Sequence, residues 1–292
     1  MGTVLAFPGQ GALRAQTGTG PLDRHPGLVA EAERILGHPI RAVLTAEPGS
    51  PMRHLTRVQP VLFVMTRLAA LDEPDADYLA GHSMGELTAL CHAGSVGFGA
   101  ALRLVRARAE LISACPVPGG MLAVTGLPLS RLTALMGAEG CADVDLANLN
   151  APEQTVLSGP TGSLRALATV IRQETTGRAT LIDAPNPGHS RYMAAAAAGF
   201  AAVLAEVTFA PPRVPVISNV TARPHRPGRV AELLAQHLYR PVRWADSMRY
   251  LRAAGATGLR QAGAGSLLPK LWAACAGPDP SLSTERPDSR QG

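Results

Sequence analysis

Apolar residues along this chain alternate between short continuous runs and longer stretches with helical spacing. Residues 3 to 7 read as a buried strand, closed by Pro8-Gly9-Gln10-Gly11, a turn that glycine-rich sequence accommodates easily. Residues 27 to 37 have amphipathic spacing, 55 to 71 form a longer apolar helix with Pro60 near its first turn, and 78 to 80 form a second short apolar strand. Helices at about 84 to 94 and 98 to 114 complete an α/β alternation.

From residue 121 the rhythm changes. Strand 121–125, helix 129–136, strands 144–149 and 155–158, helix 162–174 and strand 179–183 follow in the order β-α-β-β-α-β. That order is the split βαβ of a ferredoxin-like unit, so residues 121–186 are expected to form a small subdomain inserted into a larger one made of 1–120 and 187–276. The larger part resumes with helices at 190–205, 229–238 and 265–275 and strands near 214–217 and 257–261. Residues 277–292, rich in Pro, Ser, Asp and Arg, read as a disordered tail. Ligands favour domain interfaces, which places the expected active site between the two parts.

The 292 residues suit one large domain or a large domain with an insertion. Hydrophobic residues at 46% against 17% charged exclude bulk disorder. No apolar run approaches the roughly 18 to 20 residues of a membrane helix, and the start Met1-Gly2-Thr3-Val4-Leu5-Ala6-Phe7-Pro8 has no basic leader region, so a cytoplasmic protein without a membrane partner is expected. The 27 basic residues outnumber 22 acidic ones, giving +5, and all but Lys270 are arginine. They are scattered and aromatics are 4%, which argues against a nucleic-acid groove and for an acidic partner or anionic substrate. Cys91, Cys115, Cys141 and Cys275 are too far apart for a zinc site or disulfide framework and read as buried reduced thiols.

The most informative segment is Gly81-His82-Ser83-Met84-Gly85-Glu86, a G-x-S-x-G pattern directly after an apolar strand and before a helix. A serine on such a turn needs small flanking residues, and its hydroxyl projects at the positive end of the helix that follows. Ser83 is therefore the candidate nucleophile; a helix-capping serine in a glycine turn is the plainer alternative. A hydroxyl attacks poorly without a base, so one of eight histidines should approach it. His82 would point elsewhere on a sharp turn, and His25, His38, His54 and His225 lie in segments that read as solvated. His189, in Asn186-Pro187-Gly188-His189-Ser190, begins a helix where the chain leaves the inserted unit and can sit at the junction. Arg103, Arg106 and Arg108 share one helix but cannot all face one side; an inward one would need an anion, whereas three surface arginines remain the alternative.

Together with Phe7-Pro8-Gly9-Gln10-Gly11, Val58-Gln59-Pro60, Asn148-Leu149-Asn150-Ala151-Pro152 and Pro241-Val242-Arg243-Trp244, these residues resemble the malonyl-CoA:acyl carrier protein transacylase family and the related polyketide synthase acyltransferases, from about residue 4 to 275. The resemblance implies an α/β fold with an α/β-hydrolase-like larger subdomain and a ferredoxin-like inserted one. It also implies that Ser83 is acylated, that His189 is the general base, and that the backbone carbonyl of His237 holds the imidazole. The backbone N–H groups of Gln10 and Met84 would form the oxyanion hole, with Arg108 gripping the free carboxylate of a malonyl group and Gln59 also binding substrate. Such an enzyme works by ping-pong transfer from a coenzyme A thioester to the phosphopantetheine thiol of an acyl carrier protein, with no metal and no permanently bound cofactor.

Four features depart from the family pattern: a histidine at 237, where Gln or Asn is common, Ala12-Leu13-Arg14 after the glycine-rich turn, a short connection between the Gln59 helix and the serine turn, and Asn186-Pro187-Gly188 before His189. They fit a discrete transferase of polyketide or malonate metabolism as well as a fatty-acid enzyme. The alternatives are the malonyl-transferase subunit of a malonate decarboxylase, a carrier-to-carrier shuttle or editing thioester hydrolase with the same dyad, and a catalytically silent interaction module. Gly263 and Gly265 read as a helix-entry turn, and Asn219-Val220-Thr221 as a glycosylation sequon without consequence in the cytosol.

Overall fold

The structure is a computed structural model that describes residues 2–9, 19–47, 49–182, 184 and 186–277. Gln10, Ala12-Leu13-Arg14 and the expected tail after Gly277 lie outside the described residues. Strand β1 (Gly2–Phe7) is followed by α1 (Gly20–Arg24), α2 (Pro26–Leu36), α3 (Ile40–Leu44) and the long α4 (Leu55–Ala69). Strand β2 (Tyr78–Gly81) then leads into α5 (Gly85–His92) and α6 (Phe98–Ser113). Next come β3 (Gly119–Thr125), α7 (Leu129–Ala138), β4 (Asp145–Ala151), β5 (Gln154–Pro160), α8 (Thr161–Glu174) and β6 (Arg178–Ile182). The chain ends with α9 (Ala194–Ala205), β7 (Val216–Ile217), α10 (Val230–Gln236), α11 (Trp244–Ala253), β8 (Ala256–Gln261) and α12 (Leu267–Ala274).

Two four-stranded sheets result, with orders β7-β2-β1-β8 and β4-β5-β3-β6. The first is parallel throughout, and Val4, Leu5, Ala6 and Phe7 of β1 are all buried. Burial on both faces is what makes a parallel strand read as a continuous apolar run. Leu5 and Phe7 face α4, α5 and α6, while Val4 and Ala6 face α11 and α12 across the other side, as the two-residue period of a strand requires. The second sheet is antiparallel at every pairing and carries α7 and α8 on one face, where Leu122, Val124, Leu132, Leu135, Leu164 and Ile171 pack together. Backbone hydrogen bonds join the two parts: the Leu149 N–H donates to Val242 at 2.9 Å and the Val242 N–H to Ala147 at 2.8 Å. No helix among the described residues is long and apolar enough to cross a membrane.

Several expectations change. Pro60 lies in the second turn of α4 rather than the first, buried inside the helix, where it removes one backbone hydrogen bond. The helix expected at 190 is a single 3-10 turn, Arg191–Met193, before α9 begins at Ala194. Helices α1, α3 and α11 are additional to the elements expected from the sequence. Helix α11 buries Trp244, Ala245, Met248 and Leu251, a spacing of i, i+1, i+4 and i+7 that was there to be read. Cys91 and Cys275 are buried as expected, but Cys115 and Cys141 are only half-buried. Gly263 and Gly265 do form the turn into α12, held by the Gln261 side chain, which donates to the Ala264 carbonyl and accepts the Leu268 N–H.

Candidate active site

Ser83 sits between β2 and α5 with φ 54°, a left-handed conformation uncommon for a side-chain-bearing residue. The flanking glycines are a steric necessity. A Cβ on Gly81 would lie 2.1 Å from the Gly85 carbonyl carbon, and one on Gly85 would lie 2.1 Å from the Phe7 oxygen. The turn's N–H groups are largely occupied: Ser83 donates to Asn219 Oδ1 at 2.9 Å, Gly85 to His82, Glu86 to Ser83 and Leu87 to Met84. The Met84 N–H has no partner among the described residues.

His189 also has positive φ, 57°, and its own N–H is fixed by the Leu238 carbonyl at 3.0 Å. Its Nε2 lies 2.7 Å from Ser83 Oγ, and its Nδ1 lies 2.8 Å from the His237 carbonyl. A carbonyl only accepts, so Nδ1 carries the hydrogen and Nε2 presents a lone pair to the serine hydroxyl. Burial, together with the charges of His237 and Arg108, holds this imidazole well below the ordinary histidine range, against the opposing pull of the carbonyl. His189 is thus neutral and ready to accept a proton.

Of the three arginines on α6, Arg103 is exposed and Arg106 donates to the Ile35 carbonyl at 2.9 Å, while Arg108 turns inward and is 4% exposed. Its Nη1 donates to Gln59 Oε1 at 2.9 Å and its Nη2 to Ser83 Oγ at 3.4 Å. Burial lowers it to about 10, with Glu86 opposing, so it stays protonated at neutral pH. The guanidinium therefore stands beside the hydroxyl as a desolvated cation whose described partners are both neutral.

His82 does point away, as expected: Nε2 lies 2.8 Å from Asn150 Oδ1 and the ring leans on Trp244. Burial pushes it down to about 4 despite the Asn150 hydrogen bond. His25 and His54 are surface groups, the first 3.3 Å from Asp72 and the second capping α4. His225 contradicts expectation. It is 6% exposed rather than solvated, because its Nε2 meets Glu86 Oε1 at 2.6 Å deep under the site. Glu86 is held down at about 2: burial would raise it, but the His237 charge and the His225 hydrogen bond outweigh that. Glu86 and Asn219 are buried beneath the serine turn, where the sequence pattern alone gives neither a role and Asn219 reads only as part of a sequon. Gln10 lies outside the described residues.

His189 opens onto a cleft of about 640 Å³ between α7, the start of β4 and the segment after α10, with Asp145, Arg191, Tyr239 and Arg240 on its walls. Among the described residues, no group of three or more His, Cys, Asp or Glu could hold a metal ion. Chemically, the arrangement offers an activated hydroxyl, a neutral base and a fixed cation within one small volume.

Residues 6–259 match the acyl transferase domain family. The polyketide biosynthesis malonyl CoA-acyl carrier protein transacylase PksC of Bacillus subtilis is 36% identical over 273 residues, covering 91% of this chain and 94% of that one. The polyketide biosynthesis proteins ThaF of Burkholderia thailandensis and PksE of Bacillus subtilis are each 35% identical, over 92% and 91% of this chain, but the chain spans only 24% and 35% of their lengths. The crystal structure of a malonyl CoA-acyl carrier protein transacylase from Burkholderia pseudomallei superposes with a TM-score of 0.90 at 35% identity, covering 95% of this chain and 99% of that one. Sequence and fold agree across almost the whole length, and this chain belongs to the acyl transferase domain family.

Proposed function

We propose that the protein is a malonyl-CoA:acyl carrier protein transacylase acting in polyketide or fatty-acid synthesis. The observation that carries the reading is the Ser83 hydroxyl lying 2.7 Å from His189 Nε2 and 3.4 Å from Arg108 Nη2. Ser83 Oγ bonds to the thioester carbonyl carbon as its proton passes to Nε2, and the imidazolium is steadied by the His237 carbonyl on Nδ1. The role of receiving the charge that develops on the carbonyl oxygen falls to the backbone N–H groups of Gln10 and Met84, the latter without a partner among the described residues. The tetrahedral intermediate expels the coenzyme A sulfur, which takes the proton from His189 and leaves as the thiol. In the second half-reaction the carrier's phosphopantetheine thiol gives its proton to Nε2 and attacks the acyl ester, and Ser83 leaves with that proton. Every step moves an acyl group or a proton between named groups, so the scheme calls for no resident cofactor. Arg108, with Gln59 bracing it, selects an acyl group that ends in a carboxylate, because a neutral chain would leave the guanidinium without an anion.

The β-α-β-β-α-β order and the β4-β5-β3-β6 sheet support reading 121–186 as a ferredoxin-like subdomain in an α/β-hydrolase-like body of 1–120 and 187–276. The net charge of +5 favours encounter with an acidic carrier at low salt. The test is intact mass after mixing with malonyl-CoA. Wild-type protein is expected to carry a malonyl ester that a phosphopantetheinylated carrier removes, and Ser83→Ala to carry none. An adduct on Ser83→Ala, or release of the ester at the same rate by water alone, overturns the reading.

A further inference from the structure

Glu86, in the first turn of α5, is 1% exposed, and three donors converge on its carboxylate. Oε1 accepts from His225 Nε2 at 2.6 Å, while Oε2 stands 3.1 Å from His237 Nδ1 and accepts the Asn219 N–H at 3.2 Å. Two of these neighbours reach the proposed dyad directly. Asn219 accepts the Ser83 N–H through Oδ1 at 2.9 Å and donates through Nδ2 to the Gly81 carbonyl at 2.6 Å, so it grips the serine turn on both sides. His237 supplies the carbonyl that receives His189 Nδ1, and its ring lies 4.9 Å from that of His189. Glu86 also belongs to the serine turn, since its own N–H donates to the Ser83 carbonyl at 3.0 Å.

We propose that Glu86 is a positioning residue: one carboxylate, holding Asn219 on one side and His237 on the other, sets the separation of the Ser83 hydroxyl and the His189 imidazole without touching either reacting atom. The inference rests on the Ser83–His189 reading above. A carboxylate is required because three donors meet two oxygens, and an amide would turn its NH₂ toward at least one of them. A histidine can answer that change by moving its proton to the other nitrogen, whereas the Asn219 backbone N–H cannot. Both Ser83 and His189 sit in left-handed backbone conformations that the surroundings must hold in place. Ala222, at φ 53°, closes the Ser218–Arg223 turn that presents Asn219, so the support carries the same kind of strain.

The experiment compares single-turnover acylation by malonyl-CoA with labelling by phenylmethylsulfonyl fluoride, a probe of serine activation that makes no use of a carboxylate grip. In folded Glu86→Gln both rates are expected to fall by the same factor, about 10- to 100-fold, a loss in line with displacing reacting groups by a fraction of an ångström. The malonyl-CoA concentration at half-maximal rate is expected to stay unchanged. Asn219→Ala and His237→Ala each cut one link and should each slow both reactions, with His237→Gln, which keeps an N–H donor on the side chain, recovering most of the loss. Wild-type rates in folded Glu86→Gln, or a loss confined to half-saturation, overturn the proposal. Should Glu86→Gln fail to fold, equal rates in His237→Ala and His237→Gln overturn it instead. Ser83→Ala and His189→Ala separate the two readings. If either still forms the acyl-enzyme, the dyad itself fails; if both abolish it while Glu86→Gln matches wild type, only the role of Glu86 fails.

Discussion

Arg108 shows how far a single residue can be understood from its surroundings. A guanidinium buried beside Gln59 and Ser83 has lost most of its hydration and holds two neutral partners, an arrangement that stores a preference for an incoming anion. Arg108→Ala is therefore expected to slow acylation by malonyl-CoA by roughly 10- to 100-fold, the worth of a charged hydrogen-bonded contact, while leaving acylation by acetyl-CoA near its wild-type rate. The ratio of the two rates is the measurement, and an unchanged ratio removes the carboxylate grip. Residues of the site differ in how plainly the sequence announced them. Ser83 was legible because the glycines around it answer a local steric demand. The inward turn of Arg108 was not, since the spacing of three arginines on α6 says which faces they occupy but not which face is covered. Glu86 and Asn219 were invisible for a different reason: their long-range partners lie 133 or more positions away, and the burial of His225 follows from a carboxylate 139 positions away.

At the scale of elements, legibility followed burial geometry. Strands β1 and β2 are apolar on both faces and stand out as runs, whereas α1 and α3 are five residues each, shorter than two helical turns, so no period can show. Helix α11 carries a clear apolar stripe, but Arg249, Arg252 and Asp246 dilute its average and hid it. The turn between β2 and α5 gives the sharpest test of element geometry. Gly85→Ala would drive a methyl to 2.1 Å from the Phe7 oxygen of the neighbouring strand, a backbone atom that cannot yield without parting β1 from β2. Loss of cooperative unfolding, or a fall in the thermal midpoint well beyond that of an ordinary core substitution, is expected. Gly162→Ala in α8 is the matched control: nothing lies within 4 Å of the added carbon and the backbone is helical, so it should raise stability by a few tenths to about 1 kcal/mol. Similar midpoints for the two variants would refute the steric account of the turn.

For the molecule as a whole, burying the site has a consequence in acid. His82, His92 and His189 are all held below the ordinary histidine range by burial above all, His82 and His92 at about 4. An unfolded chain takes up protons at these positions as pH falls through about 6.5, and the folded one does not until far lower. The unfolded state therefore binds more protons across that interval, so folding stability must decline as pH drops from about 6.5 toward 5. Glu86 acts in the same direction further down: with its carboxyl at about 2 in the fold, it adds stability above the unfolded value of 4.5 that is lost as pH falls through the range below. Each imidazole that stays neutral in the fold while its unfolded counterpart is protonated adds about 1.4 kcal/mol per pH unit to the limiting slope, and carboxylates of the unfolded chain add to it as pH nears 5. Denaturant midpoints measured in that interval should fall steadily, and His82→Gln, which keeps a side chain able to meet Asn150, should remove about one proton from the slope. A midpoint flat from pH 6.5 to 5 would mean that these imidazoles reach water, and a site open enough for that could not keep His189 neutral beside Arg108.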